Sequence, residues 1–422
     1  MKKNIYLFFK TIYWVMPSSL RNLLNGFRYS FVRHLRAKLL TSSESNSSNL
    51  IDGEEFKKLL GQFAEIYIFE PSVNWEIDLY QRPQHLATAL GYNGNGIVIY
   101  KTQGDNVNGF KQVEKNVWIT NQLKFVDSIR SAKRIYFSTS IFNNKCHMIS
   151  MRSHGKVIYE YIDHISEEIS GGKKEIKYLK DIRDFAFNGG VDHIVATSDA
   201  LFLEASDYLS SDKVTLIPNG VNIEHYSNVE HFHKGKDILL DDIRQNQEIK
   251  KFLGRYNRIV GYFGAIAPWL WYDLIQQVVD SNPDTGFLMI GPDYGGCQYF
   301  LPEKDNFYWV GPVPYENLPE LASYFDVCWI PFSLGDIAKT TSPLKLFEYF
   351  ALGKPVVVTS EMQECVKYKE VYHGKDVSEI NIALSSAFER LTDKDYSRSL
   401  KALAEENSWN NRAIDYQMIN FS

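Results

Sequence analysis

The sequence predicts an α/β protein of two doubly wound domains facing one another across a cleft. Three observations lead there. At 422 residues the chain is too long for one compact core and fits two domains of ordinary size. Short apolar or β-branched runs alternate with helical or polar segments, which argues for a parallel sheet covered on both faces. The alternation also occurs twice, with an acidic helical connector at about 237–253 between the two series.

In chain order, a basic arm comes first, at residues 1–43. It carries Lys2, Lys3, Lys10, Arg21, Arg28, Arg33, Arg36 and Lys38 and no acid. A helix is expected after Pro17, with Ser18 or Ser19 as cap. Leu20, Leu23, Leu24, Phe27, Phe31 and Leu35 share one side of its wheel and the arginines lie off it, the pattern of a helix resting on anionic lipid. A helix packed on the body is the alternative. The other 38 of the 46 Lys and Arg face all 51 acids, a balance of −13 that argues against a nucleic-acid partner. The arm instead points to an anionic membrane surface met through residues 1–40.

A polar, Ser-rich linker is assigned to 44–54. The first domain, 55–235, has strands expected at 66–69, 97–100, 134–138, 157–161, 193–197 and 214–217. The second, 236–404, has them at 259–263, 286–290, 307–310, 327–330 and 355–359, and a closing helix is expected in 405–422. Cys146, Cys297, Cys328 and Cys365 are scattered, so neither a disulfide framework nor a zinc site is indicated. With no run of about 18 apolar residues and no cleavage site after an apolar core, a cytoplasmic location, peripheral on the inner face of the membrane, is expected.

The densest chemistry lies in Thr340-Thr-Ser-Pro-Leu-Lys-Leu-Phe-Glu-Tyr-Phe-Ala-Leu-Gly-Lys-Pro-Val356. Ser342 reads as an N-cap, Pro343 as the first helical residue and Gly353 as the stop. The helix amides would then face the ends of the strands and hold a diphosphate, with Lys345 adding a full charge. Glu348, three residues on, shares a side of the helix with Lys345 and can accept hydrogen bonds from ribose. An i,i+3 surface ion pair is the plainer reading of that spacing.

Three pieces, Leu216-Ile-Pro-Asn-Gly-Val221, Ser342-Pro-Leu-Lys-Leu-Phe-Glu-Tyr349 and Leu352-Gly-Lys-Pro-Val356, resemble retaining GT-B glycosyltransferases of family 4, a resemblance spread over about residues 62–415. Trp75 and Tyr80-Gln-Arg-Pro-Gln-His-Leu-Ala87 are similar to the subgroup holding teichuronic-acid, O-antigen and capsule transferases. The resemblance implies a nucleotide-diphosphate sugar as donor, a lipid-linked or polysaccharide acceptor, and neither cofactor nor metal. No Asp-x-Asp metal site is evident: Asp393-Lys-Asp395 lies in the late helical region and reads as a solvated charge pair.

Residue by residue, the resemblance puts the ribose contact on Glu348 and the donor pocket around Ser342, Lys345 and Leu346. The earlier Glu of the family's E-x7-E pair falls on Thr340, leaving Thr340 and Thr341 to hydrogen-bond the sugar. The family's Arg and Lys after the first strand of the second domain are missing from Gly264-Ala-Ile-Ala-Pro-Trp-Leu-Trp-Tyr-Asp273. Diphosphate charge then rests on Lys345, the helix amides and Lys339, with Gly264 beside them. Val310, Gly311 and Val313 match the turn against which the base packs, where the alternative is a plain β-turn. Asp163 and His164 match a loop near the reacting carbon, so they join Lys345 as catalytic candidates; capping of the next helix is the other reading. Trp75, Arg82 and His85 are assigned to the acceptor side, although Arg82 in a surface ion pair reads equally simply.

Other functions on these residues are a GT-B sugar-nucleotide epimerase and a non-catalytic, membrane-associated scaffold for glycan assembly. A Rossmann dehydrogenase is disfavoured, since no G-x-G-x-x-G follows the first strand.

Overall fold

The computed structural model describes residues 50–77, 79–94, 96–105, 107–227 and 243–421. The basic arm, positions 44–49 of the linker and the start of the connector lie outside the described residues.

Two sheets form the body. The first holds β1 (Leu50–Ile51), β2 (Glu65–Phe69), β3 (Gly96–Lys101), β4 (Phe110–Glu114), β5 (Val117–Thr120), β6 (Ala132–Phe137), β7 (Gly155–Tyr161), β8 (His193–Ala196) and β9 (Val214–Leu216). Its order is β1-β4-β5-β3-β2-β6-β7-β8-β9, parallel except where β4 meets β1 and β5. The second holds β10 (Ile259–Phe263), β11 (Gly286–Ile290), β12 (Phe307–Trp309), β13 (Val327–Ile330), β14 (Val356–Thr359) and β15 (Tyr372–Gly374). Its order is β12-β11-β10-β13-β14-β15, parallel throughout. Central strands such as β3, β10 and β13 are buried at every residue, as sheets covered on both faces require.

Both series of expected strands are present. The β4–β5 hairpin, β1 and β15 are additions. Strand β4 reads Phe-Lys-Gln-Val-Glu with a single buried residue, so it lacks the apolar run that marks the others.

Six helices position the site: α1 (Arg82–Tyr92), α2 (Lys145–Arg152), α3 (Lys173–Phe185), α4 (Ile223–Ser227), α5 (Leu344–Ala351) and α6 (Trp409–Gln417). Helix α1 starts at a reciprocal Gln81/Gln84 capping box with Pro83 in its first turn. Helix α6 starts at Ser408, whose Oγ accepts from the Asn411 amide. It crosses back from the second domain: Val221 bridges Ser408, and Trp409, Ala413 and Tyr416 pack into the first-domain core with Leu86, Ala87 and Leu90.

Each sheet has one point where the chain reverses its direction of growth, between β2 and β6 and between β10 and β13. Ligands of open α/β sheets bind beyond the carboxyl ends of the strands at such points. In the second sheet those ends are Gly264 and the Pro331–Phe332 segment. Among the described residues, no helix is long and apolar enough to cross a membrane.

Candidate active site

Lys345 sits at the second switch point. Its Nζ lies 5.4 Å from the ring centre of Tyr262, on β10, and 5.2 Å from that of Phe332, just after β13. Gly264 allows this approach. Its φ is +139°, and a Cβ there would stand 2.8 Å from Lys345 Cε. The stretch after β10 carries no cation of its own, but Lys345 reaches it through space.

Helix α5 holds Lys345 in place by its buried face, with Leu346, Phe347, Tyr349 and Phe350 in the second-domain core. The Tyr349 hydroxyl also accepts from the Phe263 amide. Leu346 is fully buried, so its side chain serves packing. The expected helix start needs correcting. Pro343 is the cap residue, Leu344 is the first helical residue, and no side chain caps the end. Ser342 Oγ accepts instead from the Asn219 amide at 3.2 Å, and Ser342 O accepts from Asn219 Nδ2 at 2.5 Å. The preference of Ser for caps is overridden by a tie to Asn219, in the segment that follows β9. Gly353, at φ +65°, ends the helix as expected of a left-handed stop.

Glu348 is 6% exposed, and burial raises its carboxyl to about 7 against the pull of Tyr226, in α4, and Lys345. The Tyr226 hydroxyl of α4 is the near neighbour of that carboxyl, set at an angle short of a full hydrogen bond. Asp163, from the loop after β7, is likewise raised to about 7 by burial, with Arg82 and Lys345 opposing. Burial brings the Lys345 amine down to about 8, while Glu348, Cys365 and Asp163 hold it up. Lys345 thus senses one carboxylate on its own helix and one from the opposite domain, and burial drives all three groups toward their neutral forms. Such convergence marks functional sites more often than structural ones.

The remaining donor-side candidates divide. Thr340 Oγ1 is spent on the Asp336 carbonyl at 2.7 Å, whereas Thr341 Oγ1 is buried without a protein partner, an orphan donor that a ligand can satisfy. Lys339 lies 3.7 Å from Glu361 in a half-exposed ion pair. Val310 and Val313 are buried in the core; Gly311 between them has φ +86° and open space around it.

On the acceptor side the structure corrects the expectation for Arg82 and places His85 and Trp75. Arg82 does not reach toward an acceptor: it is 3% exposed and forks onto Glu160 at 2.6 and 3.1 Å, with Nη1 donating to Pro218 O and Asn219 Oδ1 at 3.1 Å each. His85 is buried with Nε2 unpartnered, its ring stacked on Trp409 at 5.2 Å; burial and His225 bring it down to about 3, so it is neutral. Both residues sit at the first turn of α1, which α6 covers. Trp75 is partly buried, edge-on to Tyr80 and Tyr100, and its amide donates to Asp105. His164 follows Asp163 in the same loop and is partly buried.

The residues that sequence reasoning missed are the connectors. Tyr416 donates to Glu160 at 2.8 Å and Arg412 Nε to Asn219 O at 3.2 Å, so Asn219 links α1, α6 and the start of α5. Its Pro-Asn-Gly motif was a visible signal without an assigned role. Tyr315, stacked between Tyr80 and His225 at 4.9 and 4.1 Å, had none.

For metal binding, Glu70, Asp127 and His147 bring ligand atoms within 4.8 Å of one another. Lys101 pairs with both carboxylates and Arg134 with Glu70, so protein cations already meet that charge.

No family model matches the sequence. One curated relative, a protein named as a teichuronic acid biosynthesis glycosyltransferase, TuaH of Bacillus subtilis (strain 168), is 27% identical over 276 residues, 62% of this chain and 66% of the relative. The match therefore spans just under two thirds of the relative's length. Among solved structures, Anabaena HepE in complex with UDP-glucose aligns over 84% of this chain and 99% of its own at TM-score 0.58 and 14% identity. A UDP-forming α,α-trehalose-phosphate synthase from Burkholderia xenovorans aligns over 84% and 100% at TM-score 0.62 and 9% identity. Sucrose-phosphate synthase from Thermosynechococcus elongatus aligns over 84% and 98% at 0.57 and 14%. Two parallel sheets across a cleft, recrossed by the last helix, give this chain the GT-B fold, and its sequence similarity is to a glycosyltransferase.

Proposed function

We propose that the protein is a glycosyltransferase that takes a sugar from a nucleotide-diphosphate donor and passes it to a cell-surface polysaccharide or lipid-linked glycan. The observation that carries this reading is the placement of Lys345 at the switch point of the second sheet, flanked by Glu348 and faced by Asp163. An amine held below its ordinary range by burial gains most from a ligand that restores its charge, and a diphosphate does that. Glu348, buried on the same helix with its carboxyl turned to Tyr226 and Lys345, is suited to accept from ribose hydroxyls. HepE, whose fold the chain shares, is known with UDP and with UDP-glucose.

The chemistry follows from charge. As the bond from anomeric carbon to phosphate breaks, negative charge grows on the diphosphate beside Lys345 and the α5 amides, and positive charge grows on the sugar facing Asp163. Retention of configuration is part of the proposal: the departing phosphate takes the proton of the acceptor hydroxyl on the same face, so no protein nucleophile is required. Metal independence belongs to it as well, with Lys345 meeting the charge a cation would otherwise meet. We place the protein on the inner face of the membrane, with residues 1–40 on anionic lipid.

Thermal-shift binding against UDP, GDP, dTDP and their sugars, without added metal, tests the reading. One nucleotide should stabilise the protein, and Glu348→Ala should abolish the shift. No response to any nucleotide would refute the donor site. Binding without turnover on any acceptor would favour the scaffold reading, to which Thr340 at the place of the family's first Glu lends some weight.

A further inference from the structure

We propose that Trp269 and Tyr294 form a platform on the second domain that binds an uncharged glycan chain by stacking its sugar rings. The platform is distinct from the Lys345 cluster. It rests on the proposed function in one respect, that the glycan held there is part of the acceptor, and its test needs neither nucleotide nor turnover.

Two loops that follow neighbouring strands build the platform, one after β10 and one after β11. They lie against one another: a Cβ on Gly291 would collide with Gly264 O, the Ile266 amide donates to Pro292 O at 2.9 Å, and the Tyr294 amide donates to Ile266 O at 2.7 Å. The Trp269 and Tyr294 rings thereby come within 5.9 Å, tilted by 42°. A third segment, after β13, braces the first loop, since the Ser333 amide donates to Trp269 O and the Trp271 amide to Pro331 O, each at 2.8 Å. That segment also carries Phe332, whose ring lies beside Lys345 Nζ, so the platform is continuous with the candidate active site. After Tyr294 the chain turns back through Gly295 and Gly296, at φ +82° and +79°, and Asp293 Oδ1 accepts from the Gln298 amide at 3.0 Å. Phe300 then packs on Tyr272 at 5.3 Å. The backbone beneath both rings is fixed.

The rings choose the class of ligand. Tyr294 is 53% exposed, and Trp269 is partly buried with its body against the second-domain core. A pyranose offers a flat face of C–H groups and a rim of hydroxyls, so an aromatic face with an O–H or N–H at its edge matches it on both counts. Charge removes other occupants. Segments 264–273, 291–300 and 331–338 hold Asp273, Asp293 and Asp336 and no Lys or Arg. A phosphate headgroup, a nucleic acid or a polyuronate would meet carboxylates there, and an uncharged glycan meets no repulsion.

Native gels of the full-length protein, cast with glycogen, dextran or galactomannan, test the platform. Wild type should be retarded by at least one of these polymers. Trp269→Ala and Tyr294→Ala should each raise the half-retarding polymer concentration by about tenfold, and Tyr294→Phe, which keeps the ring, by less than about threefold. Because Trp269 also packs on the core, the exposed Tyr294 supplies the deciding variant, and unchanged thermal unfolding of Tyr294→Ala reports that its fold is intact. That variant should also keep any nucleotide-induced thermal shift, which separates failure of this site from failure of the donor site. No retardation in any of the three polymers would overturn the inference, as would equal retardation of wild type and Tyr294→Ala. Retardation by alginate alone, lost in Tyr294→Ala, would overturn it in favour of a polyanion. A wild-type dimer on gel filtration that Tyr294→Ala dissolves would overturn it in favour of a protein contact.

Discussion

Two regions of this molecule bury charge, and they do so in opposite ways. At the hinge, Arg82, Glu160, Tyr416, Asn219 and Arg412 form a hydrogen-bonded set in which the Glu160 carboxylate meets a forked guanidinium and a phenol. At the cleft, Lys345 senses Glu348 and Asp163 without a hydrogen bond to either, and burial pushes each of the three toward its neutral form. Satisfied buried charge fixes geometry, and unsatisfied buried charge waits for a ligand. The two regions touch through Asn219, which hands the hinge geometry to the start of α5.

The largest effect should come from breaking the satisfied set. Arg82→Ala leaves Glu160 buried without its cation, which should destabilise the protein by about 3–5 kcal/mol. Denaturant unfolding of the variant, with attention to whether the two domains still unfold together, measures it. A loss under about 1 kcal/mol would mean that the hinge charges are solvated in solution and that the contrast with the cleft is false.

Lys345→Ala should do the reverse. Stability should change by about 1 kcal/mol or less, since a poorly solvated charge is removed along with its packing, while turnover should fall by about 10²–10³. Steady-state kinetics alongside thermal unfolding checks both halves. Equal losses of stability and activity would make Lys345 a second structural cation.

Titration sharpens the comparison next. Burial raises Glu348 and Asp163 to about 7, so their contribution to stability is present at low pH and lost as pH rises through about 7. Lys345 is lowered to about 8, so its contribution is present above the ordinary lysine range and lost as pH falls through about 8. The ligand-free protein is therefore least favoured between those values, where all three groups are charged. Donor affinity should be highest in the same window. Above about 8 it should fall by up to about tenfold per pH unit, as the free protein loses the Lys345 proton that a diphosphate wants. Calorimetric binding across pH 6–10 reads this, and Lys345→Ala should flatten the alkaline side.

The contrast between the regions also marks what the sequence could show. Both sheets were legible, because parallel strands buried on two faces leave dense apolar runs such as Gly-Ile-Val-Ile-Tyr-Lys in β3. The half-polar β4 was not. Helix α5 could be read from its buried face and Gly353, and Lys345 and Glu348 from their spacing on it. The hinge could not, because Arg82, Glu160, Asn219 and Tyr416 are separated by 78, 59 and 197 positions and meet only after folding. An arginine beside a proline at a helix start looks alike whether it faces solvent or a buried glutamate, which is how Arg82 came to be expected at the acceptor.

The smallest effect concerns one hydroxyl. Thr341 Oγ1 is buried with no protein partner, directly between the internally bonded Thr340 and the Asn219-bound Ser342. If the cleft is a region of unmet polar groups awaiting a donor, Thr341→Val should leave the free protein as stable or slightly more so, because it removes a desolvated hydroxyl at nearly constant volume. It should weaken the nucleotide sugar by about tenfold, the worth of one hydrogen bond made in a dry site, and weaken the bare nucleotide less if the hydroxyl meets the sugar. Destabilisation of the free protein by more than about 1 kcal/mol would show that Thr341 is already satisfied by water and belongs with the hinge's kind of burial.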